Sequence, residues 1–216
     1  MSWLVQIEVD AAVAITERIM DNYGWHQKLW ECFPRDPDSK RDFLTRIDML
    51  ESAVRLWILA RRQPSCPRWC SPERFVVKQI SPSFLSHRHY AFDLVACPTK
   101  AIAQRGKEGE PLVGPNGRRQ RGKVQYISNP QELHEWLVRK GVEGGFEISE
   151  SPPLEIGPMQ MTHFRKKSHA GFHGGTQFRG TLSVTDSQRF AQTYYSGIGR
   201  AKGFGFGLLL LAPINL

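Results

Sequence analysis

The sequence predicts an α+β fold made of two successive β-α-β-β-α-β units. Short runs in which apolar and polar residues alternate are typical of half-buried strands, and several occur in each half of the chain. Segments with helix-capping residues or helical apolar spacing separate these runs in a similar order in both halves. We therefore expect two domains, over residues 1–85 and 86–216.

The first unit is predicted from four such runs. They cover residues 3–9, 43–49, 54–60 and 75–80 and predict four strands, the middle two joined as a hairpin by a polar turn. A helix is expected between the first two strands, around residues 22–33. A short helix is expected just before the fourth strand.

The second unit begins with a predicted strand at residues 90–96. Asn129 is a suitable N-cap and Pro130 suits the first helical position, so a helix is expected from there to just before Gly141. A short strand at residues 146–148 follows.

The remainder of the second unit is predicted from a glycine-rich hairpin and a second helix. The hairpin covers residues 159–184, with its tip at residues 170–175. Thr185 and Gln188 have the spacing of a capping box and predict a helix that stops at Gly197. An apolar strand at residues 208–212 closes the unit.

The chain is basic, with 29 lysine and arginine residues against 21 acidic ones, a net charge of +8 and a pI near 9.5. This balance favours a polyanionic partner, although a basic pI alone is weak evidence for nucleic acid. We find no apolar run long enough to span a bilayer and no secretory signal at the start, and so expect a cytoplasmic protein.

Nothing in the sequence predicts a metal or a cofactor. The four cysteines have neither zinc-ligand spacing nor the density of a disulfide scaffold. His163, His169 and His173 are clustered, but no set of cysteines or carboxylates accompanies them. Paired acidic residues that would indicate a two-metal nuclease are also missing.

The glycine-rich segment at residues 197–207 is a candidate phosphate-binding loop. Glycine permits close approach of backbone amides to phosphate oxygens, and Arg200 and Lys202 add positive charge there. The segment lacks the Gly-Lys-Ser/Thr ending of a nucleotide-binding loop and leads into a strand. The alternative is a tight structural connection with two incidental cations.

Two other basic clusters are candidate RNA-binding surfaces. Residues 100–123 form a glycine- and proline-rich loop with seven basic residues against two acidic ones, and the candidates in it are Lys100, Arg118, Arg119 and Arg121. Arg165, Lys166 and Lys167 lie on the predicted hairpin, and a basic ribbon can enter a nucleic-acid groove. The alternative is an edge strand whose charges prevent aggregation.

His26 and Tyr23 are the candidate catalytic residues. At helical spacing they share one face, while Trp25, Leu29 and Phe33 lie toward the predicted sheet. An imidazole beside a phenol is suited to proton transfer at neutral pH, and the RNA 2′-hydroxyl can itself attack the adjacent phosphate. Such a pair on an aromatic-rich helix is more often structural.

These features together resemble the CasE family of CRISPR endoribonucleases, within the RAMP superfamily. Four segments, which span nearly the whole chain in the same order, are similar to those of the family: Tyr23 through Pro34, residues 38–44, residues 92–100 and residues 197–213. The glycine-rich segment is typical of the superfamily. The Tyr-x-x-His-x-x-Leu-Trp-x-x-Phe-Pro pattern narrows the resemblance to CasE.

The resemblance implies two tandem ferredoxin-like (RRM-like) domains that bind a CRISPR repeat stem-loop. It implies metal-independent cleavage at the 3′ base of the stem, leaving a 2′,3′-cyclic phosphate and a 5′-hydroxyl, with His26 as the principal proton-transfer residue and Tyr23 as its helper. It also implies that the enzyme stays on the guide RNA within the Cascade complex, whose other subunits are its partners.

The sequence departs from the family at several positions. Arg200 stands in place of a common proline, and Gln27 and Glu31 stand where some relatives carry cations after the histidine. The source of positive charge for the transition state is then open, with Lys28 and Lys167 as candidates. A non-catalytic RNA-binding subunit, in which His26 serves packing, is the alternative function.

Overall fold

The computed structural model describes residues 1–34, 41–103, 110, 112–113, 117, 122–166 and 169–215. They form two antiparallel sheets with helices packed on them, together with a separate two-stranded ribbon. The predicted α+β class is confirmed. The first sheet is built from residues 2–80 and the second from residues 89–213.

The first sheet has the strand order β2-β3-β1-β4, which is the order of a ferredoxin-like unit. All four predicted strands are present. A 3-10 turn, Pro72–Arg74, stands where the second helix of the unit was expected. The elements are β1 (Ser2–Asp10), α1 (Ala11–Thr16), α2 (Asn22–Lys28), β2 (Phe43–Met49), β3 (Ala53–Ala60) and β4 (Phe75–Ile80).

The second sheet has the central order β10-β11-β5-β12, with β8 and β9 also paired to β11. This is the same arrangement as in the first unit, with the second strand divided into three pieces along β11. The elements are β5 (His89–Ala96), β6 (Thr99–Ile102), β7 (Lys123–Tyr126), α3 (Pro130–Gly144), β8 (Phe146–Ile148), β9 (Glu155–Ile156), β10 (Gln160–Lys166), β11 (His169–Val184), α4 (Ser187–Ser196) and β12 (Leu209–Pro213).

The β10–β11 hairpin projects beyond the sheet, because β5 pairs only with residues 176–183 of β11. The predicted tip at residues 170–175 is wrong, since these residues form a regular part of β11. Their glycines make room for aromatic rings: a Cβ on Gly171 would lie 3.0 Å from Phe164, and one on Gly175 would overlap the ring of Phe206. Glycine here serves packing within a strand.

Two predicted helix boundaries are also wrong. α3 does not end before Gly141 but continues to Gly144 and is closed by Gly145 in the left-handed conformation. Gly141 lets the helix approach β8, because a Cβ there would lie 2.7 Å from the carbonyl oxygen of Phe146. The N-cap of α4 is Asp186 instead of Thr185, since its carboxylate accepts from two amides of the first turn.

Each half has its own apolar core. In the first half, Trp25 and Leu29 are buried with Val5 and Ile7. In the second half, helices α3 and α4 cover the sheet with residues such as Trp136, Leu137, Phe190 and Tyr194. The alternating pattern of β1 places Val5 and Ile7 on the inner face of the sheet, and this pattern is the reason the strand could be predicted.

The two halves pack on each other through the second face of the first sheet. Leu44 and Leu59, in β2 and β3, belong to the core of the second half. Arg46 is buried beside them and donates to Asp93 of β5 at 2.7 Å and to Asp48 at 2.8 Å. In the described part of the chain, no helix has the length and apolar character needed to cross a bilayer.

Candidate functional site

The helix α2 begins at a carboxylate cap and carries both candidate catalytic residues. Asp21 accepts a hydrogen bond from the amide of Gly24 at 2.8 Å, which satisfies one of the free amides of the first turn. Trp25 and Leu29 bury the apolar side of this segment against the sheet. The cap and the apolar side together fix the orientation of Tyr23 and His26.

His26 lies against the edge strand β2 and is largely covered, with only 7% of its surface exposed. Its Nδ1 is 3.4 Å from Thr45 Oγ1, and its ring centroid is 5.5 Å from that of Phe43. Burial, and secondly the positive charge of Arg41, lower the pKa of His26 from 6.5 to about 4. The imidazole is therefore neutral at neutral pH.

Tyr23 joins α2 to the glycine-rich loop. Its ring centroid is 5.5 Å from that of Phe204, and its hydroxyl accepts a hydrogen bond from Gln27 Nε2 at 3.4 Å. The neighbouring Asn22 donates from Nδ2 to the carbonyl oxygen of Phe204, also at 3.4 Å. The fold thus brings the first helix into contact with a loop that follows it by almost two hundred residues.

The glycine-rich loop is closed at its base and presents its basic residues between α2 and α3. The amide of Ile198 donates to the carbonyl oxygen of Gly207 at 2.9 Å. Gly207 has a φ of 86°, and a Cβ there would lie 2.5 Å from the oxygen of Ile198, so this crossing requires glycine. Arg200 is exposed, and Lys202 is half-buried in the turn Lys202–Phe204.

Arg41 is a functional candidate that the sequence analysis did not single out. Its Nη1 lies 3.2 Å from the position that a Cβ on Gly203 would occupy. Its charge lowers the pKa of His26, and it lowers the pKa of Lys202 as well, although burial is the larger cause in both cases. The signal available in the sequence was the position of Arg41 two residues before the strand that covers the histidine.

Lys28 is not available as the missing cation. Its ammonium group pairs with Glu17 at 2.7 Å and with Glu31 at 2.8 Å. Burial opposes its charge, but the hydrogen bonds to these two carboxylates outweigh burial and raise the pKa of Lys28. A charge neutralised in this way adds little to the field at His26.

The hairpin contacts the same helix at its N-terminal cap. The backbone amide of Arg165 donates to the second carboxylate oxygen of Asp21 at 2.7 Å. Phe164, His173 and Phe204 form a cluster in which the ring centroid of Phe164 lies 4.8 Å from that of His173 and 4.6 Å from that of Phe204. Lys167 and the side chain of Lys166 lie outside the described residues.

The basic residues of the loop at residues 100–123 are placed only in part. Lys100 lies in β6, where its Nζ forms a salt bridge with Glu132 of α3 at 2.6 Å. Arg118, Arg119 and Arg121 lie outside the described residues. The described structure therefore gathers Tyr23, His26, Lys202 and the backbone of Arg165 around one helix, and adds Arg41 to them.

The chemistry that this arrangement supports is proton transfer beside a phosphate. A neutral imidazole can accept a proton, a phenol can donate one, and the nearby cations can stabilise negative charge. Among the described residues, no group of three or more histidine, cysteine or acidic side chains is placed to hold a metal ion.

Comparison with known proteins places the chain among CRISPR proteins. A family model described as CRISPR associated protein matches residues 2–213. The CRISPR system Cascade subunit CasE of Escherichia coli is 27% identical over 194 residues, covering 90% of this chain and 93% of the relative. The CRISPR-associated endoribonuclease Cse3 of Thermus thermophilus is 25% identical over 227 residues, covering 98% and 100%.

A solved structure shares the fold over nearly the whole chain. The structure of Thermus thermophilus Cse3 bound to an RNA representing a pre-cleavage complex has a TM-score of 0.71 and 24% identity, and the match covers 98% of this chain and 99% of that one. The predicted tandem ferredoxin-like fold and the resemblance to CasE are confirmed. The chain belongs to the CRISPR associated protein family.

Proposed function

We propose that this protein is a CasE-type endoribonuclease that cuts CRISPR precursor RNA at the 3′ base of the repeat stem-loop and remains on the guide RNA it releases. The names of its relatives, a Cascade subunit and a CRISPR-associated endoribonuclease, support this activity. The repeat RNA and the other subunits of a Cascade complex are then its partners. The cytoplasm, where such transcripts are made, is the proposed location.

The observation that carries the proposal is the contact between α2 and the basic second half. Tyr23 touches Phe204 of the glycine-rich loop, and Asp21, the cap of the same helix, holds the hairpin at Arg165. An RNA bound by the hairpin and the loop is thereby placed beside the helix that carries His26. Neither half has this arrangement alone.

In the proposed reaction the ribose supplies the nucleophile. His26, neutral at working pH, accepts the proton of the 2′-hydroxyl as the O2′–P bond forms. The P–O5′ bond breaks, and the leaving oxygen receives a proton from Tyr23 or from water. The products are a 2′,3′-cyclic phosphate and a 5′-hydroxyl, and no metal takes part.

Arg41 and Lys202 are the proposed sources of positive charge at the reacting phosphate. They lie on the side of α2 that contacts the glycine-rich loop, close enough for the charge of one to lower the pKa of the other. Stabilisation of charge that develops in the transition state is worth several kcal/mol, typically about 10²-fold or more in rate. They replace the cations that Gln27 and Glu31 do not provide.

The remaining RNA contacts are proposed for the hairpin and the two loops. Arg165, Lys166 and Lys167 would contact the phosphates of the stem. Arg200 and Lys100, together with Arg118, Arg119 and Arg121, would extend this basic surface. In the complex the RNA would share Lys100 with Glu132, because Glu132 forms a salt bridge with Lys100 in the free protein.

One observation favours the alternative, a subunit that binds RNA without cutting it. His26 is only 7% exposed, so a ribose reaches its imidazole only after the surrounding side chains move. In the endoribonuclease proposal, RNA binding causes this movement. In the alternative, His26 stays covered and serves packing.

The test is incubation of the purified chain with its host's repeat RNA in the presence of EDTA. The proposal predicts one cut, and a loss of about 10²-fold or more in single-turnover rate for His26→Ala with RNA binding retained. Tight binding without any product would favour the non-catalytic subunit. Complete inhibition by EDTA would contradict the metal-independent mechanism.

A further inference from the structure

A basic cavity of about 450 Å³ lies between α3, α4 and the glycine-rich loop. Arg139 and Lys140 of α3 line one side, and Arg200 and Lys202 of the loop line the other. Neither the catalytic chemistry nor the hairpin uses the α3 side of this cavity. Its volume falls within the range of ordinary ligand sites.

The positive charge in this cavity is not balanced by carboxylates of the described residues. Glu143 is the one carboxylate among the described residues that line it, and it is shared between Lys140 at 2.5 Å and Arg139 at 4.0 Å. Among the described residues, neither Arg200 nor Lys202 forms a salt bridge with a carboxylate. Four cations against one carboxylate leave an excess that an anion would neutralise.

Lys202 is the residue at which the imbalance is clearest. It is half-buried, and burial followed by the charges of Arg41 and Lys140 lowers its pKa. Arg41 belongs to the His26 side of the loop and Lys140 to the cavity. Lys202 therefore connects the proposed reaction centre with the cavity through a continuous series of positive charges.

The size of the cavity determines which part of an RNA can enter it. A double helix is too wide to enter a recess between two helices and a loop, whereas a single phosphodiester strand fits. The proposed cut lies at the 3′ base of the stem, so the RNA directly beyond it is single-stranded. The chain of cations from Arg41 to Lys140 leads away from the proposed reaction centre.

We infer that this cavity binds a backbone phosphate of the single-stranded RNA on the 3′ side of the cut, with Arg139 and Lys140 as its contacts on α3. The inference rests on the proposed function and adds a substrate requirement to it: the enzyme holds the leaving strand as well as the stem. After cleavage this strand is no longer tethered, and its release empties the cavity.

The test compares the Arg139→Gln/Lys140→Gln double variant with the parent. Three RNAs are used, each with a 2′-deoxy ribose at the cut to prevent cleavage: the stem-loop with both flanks, without the 3′ flank, and without the 5′ flank. A control double variant, Arg68→Gln/Lys78→Gln, removes the same charge from exposed positions of the first half.

We expect the cavity variant to bind the two RNAs that keep the 3′ flank about tenfold more weakly. The slope of the logarithm of the binding constant against the logarithm of the salt concentration should become smaller by about 0.7 for each lost phosphate contact. For the RNA without the 3′ flank, the cavity variant should have the same affinity as the control variant. An equal loss on all three RNAs, or no loss beyond that of the control, would overturn the inference.

A free anion could bind in the same cavity. A thermal-shift measurement distinguishes binding of a free anion from binding of an RNA phosphate. Inorganic phosphate at about 1 mM is expected to give the same melting temperature as chloride at equal ionic strength, since a single unlinked anion gains little affinity. A stabilisation by phosphate that the double variant removes, without any effect of the 3′ flank, would assign the cavity to small anions and overturn the RNA assignment.

Failure of the inference is distinguishable from failure of the proposed function. If the parent binds the stem and cuts the unmodified RNA in EDTA, but the 3′ flank makes no difference, only the cavity assignment falls. If the parent neither binds nor cuts the repeat RNA, the proposed function falls, and the cavity assignment falls with it.

Discussion

Asp21 accepts a hydrogen bond from the backbone amide of Arg165 at 2.7 Å, while its other carboxylate oxygen caps α2 through Gly24 at 2.8 Å. One side chain thus joins the proposed RNA-binding hairpin to the helix that carries His26. Asp21 is a positioning residue in this arrangement. It couples the placement of the RNA to the orientation of the proposed base.

Asp21→Ser should keep the helix cap and lose the contact with the hairpin, because serine is a good cap but has a single, shorter side-chain oxygen. We expect single-turnover cleavage to fall by about three- to tenfold, since small misplacements of reacting groups are costly. Asp21→Ala, which loses both contacts, should be slower still and less stable by about 1 kcal/mol.

The matched control for this prediction is Asp186→Ser, which alters the corresponding cap of α4 away from the catalytic helix. It should leave the cleavage rate unchanged. Equal rates for Asp21→Ser and the parent would show that the bond to Arg165 has no role in positioning.

The pH dependence of cleavage should report a neutral histidine. Because burial and Arg41 lower the pKa of His26 to about 4, a base at this position is active throughout the neutral range. We expect kcat/KM, which reflects groups of the free enzyme, to be flat around neutral pH and to fall on the acid side toward pH 4. Circular dichroism at each pH checks that the chain stays folded.

The opposite profile would assign His26 a different role. If it acted as the proton donor, its active form would be the charged one, and kcat/KM would decrease as the pH rises above about 4. If the pH profile of kcat/KM had its midpoint near the ordinary pKa of histidine, the imidazole would be open to water, in disagreement with its burial.

His26 should also make the protein acid-sensitive. Its folded-state pKa lies below its unfolded value, so the unfolded chain binds more protons between these values and stability falls as the pH decreases through that range. Between neutral pH and about pH 4.5 the parent should lose about 2 kcal/mol more of its free energy of unfolding than His26→Gln. Urea unfolding at the two pH values measures this difference, and equal losses would refute it.

Arg41 should matter to cleavage more than to binding. Arg41→Gln removes the cation whose guanidinium lies 3.2 Å from the Cβ position of Gly203, and we expect a loss of about 10²-fold in single-turnover rate with little change in affinity. Arg68→Gln, a change of the same type at an exposed position of the first half, is the control. A loss of affinity that equals the loss of rate would place Arg41 in general RNA binding.

Gly203→Ala tests the same contact from the other side. A methyl group would displace the guanidinium by a few tenths of an ångström, and the cleavage rate should fall by about two- to fivefold. In the Arg41→Gln background the alanine should have no further effect, because the group that it displaces is gone. Additive losses would mean that Gly203 acts through something other than Arg41.

The fold could be predicted from the sequence because strands such as β1, β3 and β5 alternate between buried and half-buried residues. The pattern of β1, in which Val5 and Ile7 point to the core, is visible in the residues themselves. Two of the errors occurred where glycine serves packing, at Gly141 and Gly175, since the residue type does not reveal which atoms lie opposite.

The candidate site was predictable only in its local parts. The spacing of Tyr23 and His26 places them on one helix, but the contact of Tyr23 with Phe204 depends on how the two halves pack. Arg41 and Asp21 contact Gly203 and Arg165, which are distant in the sequence, so these contacts cannot be predicted from a local pattern. The burial of His26 likewise results from the edge strand that covers it.

Attack by the ribose is central to the proposed mechanism, and a repeat RNA with a single 2′-deoxy nucleotide at the cut tests it. In EDTA, the parent should cut the all-ribose RNA once and leave a 2′,3′-cyclic phosphate, and should bind the 2′-deoxy RNA equally well without cutting it. Cleavage of the 2′-deoxy RNA at the same position would contradict this mechanism.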